Sequence, residues 1–235
     1  MTTTTSGPPT SSNRVFVLIV VALIVVGLAG VAILATQRDS VSSDVSEQQT
    51  AAVTIDGDGL AAMPADVQVS TVGIDPAVGA TAPALTGTDF EDNEVTIGAD
   101  GRAKVIYFLA HWCPHCQAEV PVVQELIDEG SLPDGLDIYA VSTAVDEGRG
   151  NYPPQIWLDR EDFTPMTMRD DDASSALAAF GGGGFPYAVY LDGNNTVVAR
   201  SAGELGKDAI SGLWQTTAEA AALGGGTDDG GSGSD

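Results

Sequence analysis

Two cysteines stand in the 235 residues, and both lie in one short run, Trp112-Cys113-Pro114-His115-Cys116. Two thiols in this spacing can close and reopen a disulfide if the run begins a helix. Cys116 then lies one turn further in, within reach of Cys113. The unpaired N–H groups and the positive dipole end of a helix N-terminus also favour a thiolate at Cys113. The pattern reads as a reversible dithiol. Two inert, buried small hydrophobes would not call for a proline and a histidine between them. A reading of another class also stays open, because the chain's only histidines, His111 and His115, flank the pair. Two thiolates and two imidazoles could hold copper or zinc.

The neighbouring segments supply the helix. Lys104 to Ala110 (KVIYFLA) is apolar, β-branched and aromatic, as a buried strand is. Gln117 to Glu129 places Val120, Val123, Leu126 and Ile127 at helical spacing, so a helix is predicted over Cys113–Glu129. Pro114 fits the first helical turn, where a missing N–H costs nothing. Pro121 falls inside the helix and should kink it.

Composition bounds the rest. A net charge of −24 and a pI near 4.1 argue against nucleic acid and anionic membrane surfaces as partners. They fit a soluble, self-repelling surface. One Cys-x-x-Cys cannot make a disulfide scaffold, so a core must hold the fold. Residues 1–14 are rich in Thr, Ser and Pro and are expected to be a disordered tail. Val15 to Ala35 is an uncharged apolar run, long enough for a membrane-crossing helix of about 20 residues. It exceeds a signal-peptide h-region, so an uncleaved single-pass anchor is expected, with the N-terminus cytoplasmic and the acidic domain extracytoplasmic. Residues 36–77 read as a flexible tether in which Val67 to Val72 could add a short strand. A domain is expected over 78–223 and a disordered acidic tail over 224–235.

Within that domain, Phe90–Ile97 reads as a hairpin around Glu91-Asp92-Asn93, and Leu136–Ser142 as a strand. A helix is expected over Asn151–Arg160, a strand over Thr164–Met168 and a short helix over Ala173–Phe180. Tyr187–Leu191 and Thr196–Ser201 flank Asp192-Gly193-Asn194-Asn195, a strong hairpin signal. Lys207–Leu223 closes the chain as a helix with Ile210, Leu213, Trp214 and Ala218 on one face. A β-α-β unit followed by a hairpin and a helix predicts an α/β class, a mixed central sheet flanked by helices.

The run Phe108 to Cys116, with Ala82-Pro83 before it, Glu119 and Pro121 after it, and Gly184-Phe185-Pro186 at the head of the last hairpin, resembles the thioredoxin superfamily. Within it the chain resembles the membrane-anchored TlpA/ResA-like thiol–disulfide oxidoreductases, over roughly Ala80 to Ala222. The resemblance implies a thioredoxin-like fold and disulfide exchange with exported proteins. Cys113 would be the exposed nucleophile and Cys116 the shielded resolving thiol. It places Pro186 at the family's cis-proline, with the Phe185 backbone beside Cys113 and with Trp112 and Phe185 facing the substrate. No cofactor beyond the Cys113–Cys116 disulfide is implied, and no metal. An unidentified membrane or extracytoplasmic partner would recharge the pair.

The Pro-His dipeptide matches that of DsbA-type oxidants, in which His115 would stabilise the thiolate. Reducing members carry a buried acid six residues before the first cysteine, where this chain has Tyr107. That leaves Glu119 as the nearest carboxylate and candidate proton acceptor. The balance favours oxidation or isomerisation. Reduction of apocytochrome or other exported-protein thiols is the alternative.

Overall fold

The computed structural model describes residues 49–70 and 72–224. Its organising element is β5 (Ala103–Leu109), buried at every position. Alternation along this strand sends Val105, Tyr107 and Leu109 into one apolar cluster and Ile106 and Phe108 into another. A strand with two apolar faces needs cover on both sides, and the remaining elements supply it.

In chain order the elements are β1 (Thr54–Asp56), β2 (Val69–Ser70), β3 (Ala84–Thr88), β4 (Glu94–Ile97), β5, α1 (Pro114–Asp128) and β6 (Leu136–Ser142). They continue with α2 (Pro154–Arg160), β7 (Met166–Arg169), α3 (Ser175–Ala179), β8 (Tyr187–Leu191), β9 (Val197–Ala202) and α4 (Lys207–Gly224). The main sheet runs β2-β9-β8-β5-β6-β7. β5, β6 and β7 are parallel, joined through α1 and then α2, whereas β8 and β9 are antiparallel. The expected mixed sheet flanked by helices is therefore present. α1 and α4 contribute Val120, Val123, Ile210 and Trp214 to the cluster that holds Tyr107. A second sheet, β1-β3-β4, contributes Leu85, Val95 and Ile97 to the other cluster.

The β8–β9 hairpin forms where the Asp-Gly-Asn-Asn signal places it. Asp192 Oδ1 accepts from Asn194 N at 2.9 Å and Thr196 N at 2.8 Å, an Asx arrangement that fixes the turn. The first hairpin is displaced from expectation. Its strands are β3 and β4, and Phe90 belongs to the turn, where Asp89 Oδ1 accepts from Glu91 N and Asn93 N.

The domain also begins earlier than position 78. β1 pairs with β3 and β2 with β9, and Asp75 is buried in a two-pronged ion pair with Arg200, with Nε at 2.7 Å from Oδ2. Residues 49–70 and 72–77, expected as tether, are thus part of the fold. Two short alternating runs, Val53-Thr54-Ile55-Asp56 and Val67-Gln68-Val69-Ser70, carry β1 and β2, and the short strand expected within Val67 to Val72 is present at Val69–Ser70. Among the described residues no helix is long and apolar enough to cross a membrane. Val15 to Ala35, the expected anchor, lies outside the described residues, as do the expected tails apart from Gly224, which ends α4.

Candidate active site

The site forms where β5 ends and α1 begins. Cys113 is the N-cap residue of α1, with extended φ and ψ, and Pro114 occupies the first turn. The Cys113 carbonyl accepts from Gln117 N at 3.1 Å, and its own N–H donates to Ala110 O at 2.9 Å. Pro121 lies within α1 and removes one N–H from the helix ladder.

Cys113 and Cys116 are both free thiols in one apolar cluster. Cys113 retains 6% of its surface and Cys116 none. The nucleophile expected to be exposed is thus nearly covered, because Phe185 and Trp112 pack against the same cluster. The ordering of the two thiols is nonetheless the expected one, with Cys116 the deeper. Burial pushes the Cys116 thiol far above its ordinary range, opposed by a backbone hydrogen bond from Ala110 and reinforced by the neighbouring Cys113 and Glu119.

Pro186 stands across from the dithiol, and the Phe185–Pro186 peptide is cis. The Cys113 thiol points at the Phe185 carbonyl, 3.8 Å away. Trp112 meets the Phe185 ring edge-on at 5.7 Å and donates from Nε1 to Ala144 O at 2.7 Å. Trp112, Cys113, Phe185 and Pro186 therefore come together, although more than seventy residues separate the two stretches in the chain.

Glu119 is 3% exposed and follows Cys116 by about one turn on the buried face of α1. Its Oε2 accepts from Leu205 N at 2.6 Å. Burial raises its carboxyl from 4.5 to about 7, the Leu205 bond opposes the rise, and the Glu204 charge adds to it. Tyr107, six residues before Cys113, is buried in the same apolar cluster. Its hydroxyl accepts from Trp214 Nε1 at 3.1 Å, and burial holds it well above the ordinary phenol range. Tyr107 is no proton acceptor near neutral pH, whereas burial brings Glu119 into that range.

The two histidines face different partners. His115 is exposed, and its Nδ1 donates to Glu204 Oε2 at 3.0 Å, since a carboxylate can only accept. His111 is buried, with Nδ1 donating to Gly150 O at 2.9 Å and Nε2 accepting from Asp146 N at 3.1 Å. That is a neutral imidazole with both nitrogens committed to backbone, and burial lowers its pKa accordingly. His111 is thereby withdrawn from the four-ligand metal reading. Among the described residues no group of three or more His, Cys, Asp or Glu is arranged to hold a metal.

Two residues of the site carry no signal in the sequence. Glu204 reaches His115 from the β9–α4 loop. Arg149 lies over the Trp112 ring, 3.9 Å from its centroid. Neither belongs to a motif, and only the return of distant loops to the start of α1 identifies them.

The parallel β5-α1-β6 unit, the antiparallel hairpin, a dithiol at the head of α1 and a facing cis-proline define a dithiol protein of the thioredoxin fold. The model of the AhpC/TSA family matches residues 78–200, and the chain belongs to that family. A DsbF homologue from Corynebacterium diphtheriae has this fold, with a TM-score of 0.55 at 16% identity over 68% of this chain and 99% of that one. So does a secreted thiol-disulfide isomerase from Corynebacterium glutamicum, with 0.53 at 13% identity over 69% and 99%. The thioredoxin domain of a thiol-disulfide oxidoreductase from Bacteroides vulgatus matches at 0.49 and 23% identity, over 60% and 98%. No curated protein matches the chain.

Proposed function

We propose that the protein is a thiol–disulfide oxidoreductase that exchanges disulfides with exported proteins, held at the membrane by Val15 to Ala35. The observation that carries this reading is the Cys113 sulfur, aimed at the carbonyl before a cis-proline, with Cys116 sealed one turn beneath it. A partner chain laid along the Phe185 backbone would bring its own sulfur to Cys113.

In the reducing half of the cycle, the Cys113 thiolate attacks one sulfur of a partner disulfide. A mixed disulfide forms, and the second partner sulfur leaves with the electron pair. Cys116 then gives its proton to Glu119 and attacks Cys113 Sγ, closing the Cys113–Cys116 bond and releasing the partner as a thiolate. Oxidation of a partner dithiol is the same path in reverse. Glu119 suits the proton step because its carboxyl titrates at about 7, whereas the Cys116 thiol by itself would rarely ionise at that pH.

The Pro114-His115 pair and the replacement of an acid by Tyr107 support oxidation or isomerisation as the direction. A midpoint potential near or below about −270 mV, the thioredoxin value, would overturn that direction in favour of reduction. The function itself is tested by single substitutions. Cys113→Ser should abolish exchange, and Cys116→Ser should accumulate mixed disulfides with partners. A Cys116→Ser protein that traps no partner while the unaltered protein turns over would refute the assignment of roles.

A further inference from the structure

Seven lysine and arginine side chains fall within the described residues, and six of them end against carboxylates. Arg102 meets Asp137, Lys104 meets Asp100, Arg160 meets Glu161, Arg169 meets Asp92, Arg200 meets Asp75, and Lys207 meets Glu125 and Glu129. Among the described residues, Arg149 alone has no carboxylate partner. With 33 acidic residues against 9 basic ones, a cation has no shortage of anions to pair with. This one is instead stacked on the ring of Trp112, the residue before the nucleophile, at 3.9 Å.

The stacking is held in place. Arg149 belongs to the loop between β6 and α2, and its N–H donates to Asp146 O at 3.1 Å. That loop is fastened to the start of α1 by His111 through Gly150 and Asp146, and by Trp112 through Ala144. A guanidinium lying on an aromatic face keeps its planar fork of N–H donors available to a carboxylate. Trp112 also meets Phe185, whose carbonyl faces the Cys113 sulfur. A cation, an indole and the strand-pairing carbonyl are thus linked through Trp112 beside the reacting thiol.

We propose that Arg149 is a specificity residue that selects partner polypeptides bearing an acidic side chain next to the reacting cysteine. This rests on the exchange function proposed above. In the productive encounter the partner's thiolate attacks Cys113 Sγ of the oxidised protein. The Cys113–Cys116 bond breaks, Cys116 leaves with the electron pair and takes up a proton, and the partner's carboxylate pairs with Arg149.

The test uses the full chain, oxidised, and two cysteine peptides of identical composition. One carries Glu beside its cysteine, and the other carries the same Glu at its far end. Equal net charge makes the pull or push of the whole acidic protein the same for both. Each rate is divided by that peptide's rate with a small neutral disulfide, which removes differences in thiol acidity. The unaltered protein should favour the Glu-adjacent peptide by about two- to fivefold, the size of an exposed ion pair, and added salt should shrink the ratio. In Arg149→Gln the ratio should fall to about one, and in Arg149→Glu it should invert. A ratio of one in the unaltered protein, or a ratio unchanged in Arg149→Gln, overturns the role of Arg149. Failure of both peptides to reduce the unaltered protein overturns the exchange function as well.

Discussion

Replacing Glu119 by Gln isolates the group on which the proton step depends. The carboxyl is buried and titrates at about 7 in the folded protein, against 4.5 for its ordinary value. Between these values the folded protein holds a proton that the unfolded chain has released. Stability must therefore fall as pH rises from about 4.5 to about 7, and it stays lowered above that. At about 1.4 kcal/mol for each pH step, the decline is about 3 kcal/mol.

Glutamine keeps the carbonyl that accepts from Leu205 N and cannot ionise. Its amide adds an offset in stability that does not depend on pH, so the informative quantity is the change with pH. Urea unfolding of the reduced protein, at intervals from pH 4 to pH 8, measures it. The Glu119→Gln protein should gain about 3 kcal/mol on the unaltered protein across that range, well beyond the uncertainty of linear extrapolation. In stopped-flow exchange, the resolving step should rise with an apparent pKa near 7 and lose that rise in Glu119→Gln. Stability curves that run parallel from pH 5 to pH 7 would refute the reasoning, because Glu119 would then not be carrying a buried charge at neutral pH.

Two further outcomes follow from the packing. Asp75→Ala leaves the Arg200 guanidinium buried without its carboxylate and should cost about 3–5 kcal/mol by urea denaturation; a loss below about 1 kcal/mol would mean that water reaches the pair. His111→Phe removes both ring bonds to the β6–α2 loop and should speed amide exchange at Asp146, at a cost of about 1–3 kcal/mol. Because burial lowers the pKa of His111, the stability it supplies is full above about 6.5 and is lost as pH falls through the folded value. A difference between variant and parent that is flat from pH 5 to pH 8 would contradict this.

Local chemistry makes much of this protein legible in its sequence. A short continuous apolar run rich in β-branched and aromatic residues fits a strand covered on both faces, and β5 is one. Proline in a first helical turn, apolar residues at helical spacing and an Asp-Gly-Asn-Asn turn each fix structure through their immediate neighbours. They placed α1, β6, β8 and α4 to within about two residues at each end, and they placed the dithiol at a helix start. The resemblance carried by Gly184-Phe185-Pro186 supplied the partner of Cys113, which spacing alone could not.

Other features were settled only by the tertiary structure. Residues 49–70 and 72–77 join the fold through pairings with β3, with β9 and with Arg200, and the sequence, which offered a short strand within Val67 to Val72, does not name those partners. The depth of Cys113 depends on Phe185 and Trp112 closing over it. Glu119 titrates near 7 because the surrounding core strips its water, and His111 turns from candidate ligand to loop fastener because two backbone groups occupy its ring. Arg149 is distinguished from its fellow cations only by where the acidic side chains are not. The sequence lays down which groups can react, since reactivity resides in residue type and local spacing. Burial and charge environment decide at what pH and toward which partner they react, and those are sums over neighbours that only the folded chain assembles.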